Sequence, residues 1–300
     1  MRWLATVPLA LLTTLAAAAP ARAQHAELPS SVVALDSEEG RRMFDRAKAK
    51  ADYFALSEHY VTQETQGFCG VASAVMVLNG LQAPAPKVEA WAPYGVFTQQ
   101  NVFNDAARAA HPPEAVNRGG MTIDQLKNLL QSHPAQATVV HASESSLDEF
   151  RRAAAANMAS PTDFMIVNYD RAGVGMDTMG HISPLGAYDA ESDKILLMDV
   201  ARYKYAPHWV DAASLFRAMS TTDPSSGASR GFVTVTRAAT APGTTPVKAR
   251  NMFKMLLMTI AGAFVLGAAI GAGVSAIVTR RRWRKRLAAI EDGARAPSAA

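Results

Sequence analysis

The chain has 300 residues, a formal net charge of +4 and one cysteine, Cys69. A lone cysteine excludes an intramolecular disulfide. Much of the positive charge sits in a single block, Arg280–Arg286, so the basic balance gives no reason to expect a nucleic-acid partner.

Arg2 precedes an uncharged apolar run, Trp3–Ala19, and Ala21-Arg22-Ala23 has the pattern of a cleavage site. Residues 1–23 therefore read as a signal peptide, with a mature chain starting at Gln24. Residues 24–237 have the length of one globular domain, large enough to bury a core without disulfides, and show no internal repeat.

Within that domain the spacing of Met43, Phe44 and Ala47 predicts a helix over 38–51. Val71, Val75, Leu78 and Leu81 predict a second over 70–81, stopped by Asn79-Gly80 and Pro84. Thr122 and Gln125 have the spacing of a capping box for a helix over 122–132. Ser145 or Ser146 starts another, to Ala156. Strands are predicted at 164–169, 181–188 and 194–200, the last two joined by the polar turn 189–193. A helix over 210–219 and an alternating strand over 231–236 complete the domain. Helices first and strands later predict an α+β fold.

A Pro/Thr/Gly-rich stretch falls in a linker, 238–254. Residues 255–278 carry no charge and, as a helix, would reach about 36 Å, enough to cross a bilayer core of about 30 Å. The basic block that follows opens a cytoplasmic tail, 279–300. The expectation is a domain in the periplasm, held to a bacterial inner membrane by a single span.

Cys69 admits three readings: a buried inert thiol, an intermolecular bridge, or a nucleophile. It directly precedes the predicted helix from Gly70, where free N–H groups and the helix dipole stabilise a thiolate and an oxyanion. Gln63, six residues earlier, is either a second oxyanion donor or an ordinary polar loop residue. A nucleophile needs a base and a group that orients it. His181 opens an apolar strand after a flexible approach, and Asp199 ends the next strand; a hairpin brings the two near alignment. The alternative is a plain hairpin with a capping aspartate and an exposed histidine. His208, among Tyr203, Tyr205 and Trp209, reads as structural. There is no H-E-x-x-H, cysteine pair, G-x-S-x-G or phosphate loop, and no metal site is expected.

Three blocks, Gln63–Leu81 (QETQGFCGVASAVMVLNGL), Gly180–Tyr188 (GHISPLGAY) and Asp199–Val210 (DVARYKYAPHWV), with Ser229–Phe232, resemble the catalytic domain of the phytochelatin synthase family. The resemblance covers roughly residues 50–237 and implies a papain-like cysteine peptidase fold. It implies cleavage of the Cys–Gly bond of glutathione through a γ-glutamylcysteinyl thioester. Cys69 would be the nucleophile, His181 the base and then the acid, and Asp199 its orienting group. Gln63 would complete the oxyanion hole. Arg230 and Asp223 would hold the charged ends of the γ-glutamyl group, with Asn168 and Gly180 lining the same pocket.

Plant members carry a cysteine-rich C-terminal region that this sequence lacks, so hydrolysis of glutathione or a related γ-glutamyl thiol peptide is the expected reaction. The alternatives are synthesis of metal-binding (γ-Glu-Cys)n-Gly and, in another class, a non-catalytic module that binds thiol peptides. No cofactor is required. Cadmium or zinc enters, if at all, as a glutathione thiolate complex or an activator.

Overall fold

A computed structural model of the chain describes residues 25–238. The expected signal peptide, membrane span and basic tail, and all of the linker but its first residue, lie outside the described residues. Among the described residues no helix is long and apolar enough to cross a membrane.

The chain runs β1 (Val33–Ala34), α1 (Glu38–Arg46), α2 (Ala51–Glu58), α3 (Cys69–Gly80), α4 (Asp105–Ala110), α5 (Pro113–Gly119), α6 (Ile123–Gln131), β2 (Ala135–His141) and α7 (Leu147–Met158). It continues β3 (Asp163–Asp170), β4 (Gly180–Asp189), β5 (Lys194–Leu197), β6 (His208–Asp211), α8 (Ala212–Met219) and β7 (Gly231–Arg237). The architecture is α+β, as predicted. One seven-stranded sheet has the order β1-β6-β5-β4-β3-β7-β2, every neighbouring pair antiparallel.

Helices cover both faces of the sheet. Phe164 and Ile166 of β3 join one core cluster with α3 and α6; Met165, Val167 and Tyr169, pointing the other way, join a second with α7 and α8. This explains the unbroken apolar run of β3: a strand buried on both sides has no polar face to alternate. α3 is enclosed almost completely, with every residue from Cys69 to Asn79 buried.

Local signals held where they were strongest. Thr122 caps α6 and Ser146 caps α7, each with a complete capping box, to Gln125 and Glu149. The 189–193 turn joins β4 to β5, pairing Asp189 with Lys194.

Tertiary contacts changed three expectations. The helix expected over 38–51 breaks after Arg46, because Ala49 pairs with Tyr188 at the sheet, its carbonyl accepting from the Tyr188 N–H at 2.8 Å, and Lys50 Nζ donates to the Phe44 carbonyl near the end of α1, at 2.6 Å. α3 ends at Gly80, as the Asn79-Gly80 stop predicted, and the left-handed residue that follows is Gln82 (φ 52°). Gly80 remains helical, and a Cβ there would sit 3.0 Å from the Phe164 ring. The helix expected over 210–219 starts at Ala212, capped by Asp211, because His208–Asp211 pairs with β5. β2, absent from the sequence reading, completes the sheet against β7.

Asp52, in the first turn of α2, is 1% exposed, and neither carboxylate oxygen has a hydrogen-bond partner among the described residues. Burial, with the nearby charge of Asp163 second, pushes its pKa up to about 9. A carboxyl raised in the folded state favours folding below its ordinary value near 4, and that contribution is lost as pH rises toward 9. Stability should therefore fall by up to about 1.4 kcal/mol per pH unit within that window. Asp52→Asn, nearly isosteric and uncharged, should flatten the decline. Thermal melts from pH 6 to 9 test this; parallel curves for the two proteins would refute it.

Candidate active site

The site forms where several strands end on the same side of the sheet. His181 is the second residue of β4, the middle strand, and pairs with Tyr169 of β3. Cys69 is the first residue of α3, entered through a 3-10 turn at Gln66–Phe68. Asp199 lies two residues beyond β5. The ladder shifts register between Leu185 and Ala187, and Met198 N–H donates to the Pro184 carbonyl at 2.9 Å, so the chain bends away and turns Asp199 toward His181.

The three side chains sit in series. His181 Nε2 lies 2.9 Å from Asp199 Oδ1, and the imidazole and the Cys69 thiol are near enough for each to shift the other's pKa. Since Nε2 faces Asp199 and the Ser183 hydroxyl (2.9 Å), Nδ1 is the atom left for the thiol. Burial by itself would raise the thiol pKa; the hydrogen bond and charge of His181, with the backbone at Ile182 and Gly70, outweigh it and bring it down. Burial works to lower the imidazole, but the Asp199 carboxylate and the thiol raise it. Burial would also raise Asp199, yet His181 and then Arg171 hold it below the ordinary carboxylate range. Both shifts favour a thiolate–imidazolium pair over the neutral pair.

Four further residues fix this row, none of them given a role from sequence. Arg171, only 3% exposed, places Nη2 2.5 Å from Asp199 Oδ2, with its guanidinium over the Tyr205 ring at 4.9 Å. The Ala201 N–H donates to Asp199 Oδ1 at 2.8 Å, filling another acceptor position. Ser183 sits between the His181 ring and the Val200 N–H. The Ser73 hydroxyl bridges the Cys69 and Ile182 carbonyls, at 2.8 and 3.2 Å, and ties the start of α3 to β4. Ser73, Ser183 and Ala201 fall inside the blocks of resemblance and Arg171 outside them, but only folding shows what each side chain or N–H does at the site.

Cys69 and His181 open onto a cleft of about 370 Å³. All four residues expected to bind substrate line it: Arg230, Asp223, Asn168 and Gly180. Arg230 Nη1 donates to Asn168 Oδ1 at 2.8 Å and lies 3.4 Å from Asp223 Oδ2, while Asn168 Nδ2 reaches the same Asp223 oxygen at 3.3 Å. Arg230 Nε is buried with no partner among the described residues, and the guanidinium retains donors for a carboxylate. Gly180 permits this packing, since a Cβ would fall 2.8 Å from both Arg230 terminal nitrogens. Gly70 abuts Met121 in the same way, a Cβ falling 2.5 Å from its sulfur.

Gln63 takes a different place. It is buried, outside the residues lining the cleft, and its Nε2 donates to the Thr65 and Gln66 carbonyls at 2.8 and 3.2 Å. In this geometry it braces the turn that delivers Cys69. His208 is fully buried, with Nδ1 2.8 Å from the Ala206 carbonyl, the structural part read for it.

The phytochelatin synthase family model matches residues 23–232, which include every residue of this site. The chain belongs to the phytochelatin synthase family. Among its relatives, glutathione gamma-glutamylcysteinyltransferase 2 of Arabidopsis thaliana is 34% identical over 209 residues, 68% of this chain and 45% of the relative. Glutathione gamma-glutamylcysteinyltransferase 1 of the same plant is 33% identical over 221 residues, 72% of this chain and 44% of the relative. Glutathione gamma-glutamylcysteinyltransferase of Schizosaccharomyces pombe is 29% identical over 210 residues, 69% and 49% of the two chains. The chain thus spans less than half the length of these phytochelatin synthase relatives. Among the described residues of this family member, no group of three or more His, Cys, Asp or Glu is arranged to hold a metal ion.

Proposed function

We propose that the protein is a cysteine-nucleophile hydrolase of glutathione, releasing glycine and γ-Glu-Cys through an acyl-enzyme thioester. The observation that carries this reading is the Cys69–His181–Asp199 series opening onto a cleft whose other wall holds a carboxylate-binding guanidinium and an acid. Family membership and the relatives' names support the substrate. A papain-like arrangement is the fold reading we favour, supported by a thiol starting a buried helix and its histidine on the adjoining sheet.

In this mechanism Arg230 takes the α-carboxylate of the γ-glutamyl group and Asp223 its ammonium, which sets the cysteinyl carbonyl over Cys69. The Cys69 thiolate attacks that carbon. The oxyanion forms at the α3 N-terminus, facing the Cys69 N–H. Gln63 joins it by exchanging its bond to the Gln66 carbonyl. The His181 imidazolium protonates the glycine nitrogen and the C–N bond breaks, leaving the thioester. Neutral His181 then takes a proton from water, which attacks the same carbon and regenerates the thiol. Asp199 stays ionised throughout and keeps the ring in register.

The second reading, transfer of the γ-Glu-Cys group to another glutathione, uses the same acyl-enzyme and is favoured by the relatives' name, a transferase. Incubating the full chain with glutathione, with and without Cd²⁺, and following products by mass spectrometry separates the two. Free glycine with γ-Glu-Cys supports hydrolysis; longer (γ-Glu-Cys)n-Gly species support transfer; no glycine release eliminates both. We further infer a periplasmic, membrane-held domain from the patterns at 1–23 and 255–286.

A further inference from the structure

The two walls of the cleft are built differently. On one, Asn168, Asp223 and Arg230 bond to one another. The other is formed by the 3-10 turn before Cys69 and the C-terminal end of α5, where Asn117, Arg118, Gly119 and Gly120 line the cavity. These two segments touch closely: a Cβ on Gly67 would lie 2.2 Å from the Val116 carbonyl oxygen and 2.8 Å from that of Asn117. The end of α5 is therefore packed directly against the turn that delivers the nucleophile. Arg118 is exposed there and makes no side-chain hydrogen bond or ion pair among the described residues. It is a cationic side chain at the cleft without an internal counter-charge.

Resting on the proposed reading of the site as one that cleaves a Cys–Gly bond, we propose that Arg118 is a specificity determinant which binds the free C-terminal carboxylate of the substrate's leaving glycine. The substrate's geometry supports this. One glycine extends only about 3.5 Å past the scissile carbonyl, so its carboxylate must be met by a wall beside Cys69 and not by a remote one. Arg230 serves the opposite end of the tripeptide. The two carboxylates are then gripped by two guanidiniums across the nucleophile, and a longer peptide or one with a blocked end is rejected because it presents no anion to Arg118.

The test compares binding of glutathione and its glycine-amide analogue, which differ by that one charge, to the full chain carrying Cys69→Ala, by titration calorimetry. The Cys69→Ala protein should bind glutathione about tenfold more tightly than the amide. Adding Arg118→Met should weaken glutathione to the level of the amide and leave the amide unchanged; Arg118→Lys should restore part of the difference. Equal affinity for both ligands in the Arg118 protein, or discrimination that survives Arg118→Met, would overturn the proposal. Glycine release by the wild-type chain is followed separately. Discrimination without release would sink the hydrolytic reading and leave the carboxylate site standing, and release with no role for Arg118 would do the reverse.

Discussion

Replacing Cys69 with alanine should abolish glycine release from glutathione while leaving the domain folded. The loss should be on the order of 10⁴-fold or more, because the sulfur is the atom that forms the thioester and no neighbouring side chain can substitute for it. Ser73, the nearest hydroxyl along α3, is already committed to the Cys69 and Ile182 carbonyls. Cys69 is buried among apolar neighbours at the start of α3, so removing one sulfur atom should cost about 1 kcal/mol or less. Intact-mass spectra of the wild type exposed to glutathione should show a γ-Glu-Cys adduct that the variant never shows. Glycine release by a folded Cys69→Ala protein would end the covalent mechanism.

Asp199→Asn should fail in two ways at once. The carboxylate is fully buried, bonded to His181 on one oxygen and to Arg171 on the other. An amide keeps the shape but removes the charge that makes the imidazolium favourable. The thiol pKa then rises, and kcat/KM at neutral pH should fall by about 10²–10⁴. The acid limb of the rate profile should move to higher pH. The second failure is structural: Arg171 becomes a buried cation with no counter-charge, at a cost of about 3–5 kcal/mol. Because folding lowers the Asp199 pKa, its contribution to stability is complete above the ordinary carboxylate value near 4 and is lost as pH falls below it. Urea unfolding should accordingly separate wild type from variant widely at pH 7, by a margin that begins to narrow only as pH falls below about 4. Equal midpoints at pH 7, or a rate profile that does not shift, would show that Asp199 is not what holds the row in place.

Arg171 illustrates a limit on sequence reading. An arginine after a strand is ordinary, and nothing in its neighbours points to Asp199, 28 positions away. Ser183 is similarly unremarkable until its hydroxyl is found between His181 and Val200. Arg118 has no signal beyond its position at the end of a short helix. Cys69 could be picked out because it is the only cysteine and stands at a helix start, and His181 and Asp199 because a hairpin links them. Even there the register was out of reach: the irregularity between Leu185 and Ala187 that turns Asp199 inward depends on packing, with Met198 against Gly186.

The same division runs through the fold. Side-chain-to-backbone capping at Thr122 and Ser146, the apolar face of α6, the run of β3 and the hairpin after Asp189 are interactions between residues close in the chain, and the sequence alone determined them. The break between α1 and α2, the conversion of Val210–Asp211 from helix to strand, and the pairing of β2 with β7 each depend on a partner far away: Tyr188, β5 and Gly231–Arg237. Short segments have weak preferences of their own, and an adjacent sheet edge with unpaired N–H and C=O groups overrides them. Only the tertiary structure decided which charges face one another across the cleft, because long-range electrostatics depends on distances that local pattern does not contain.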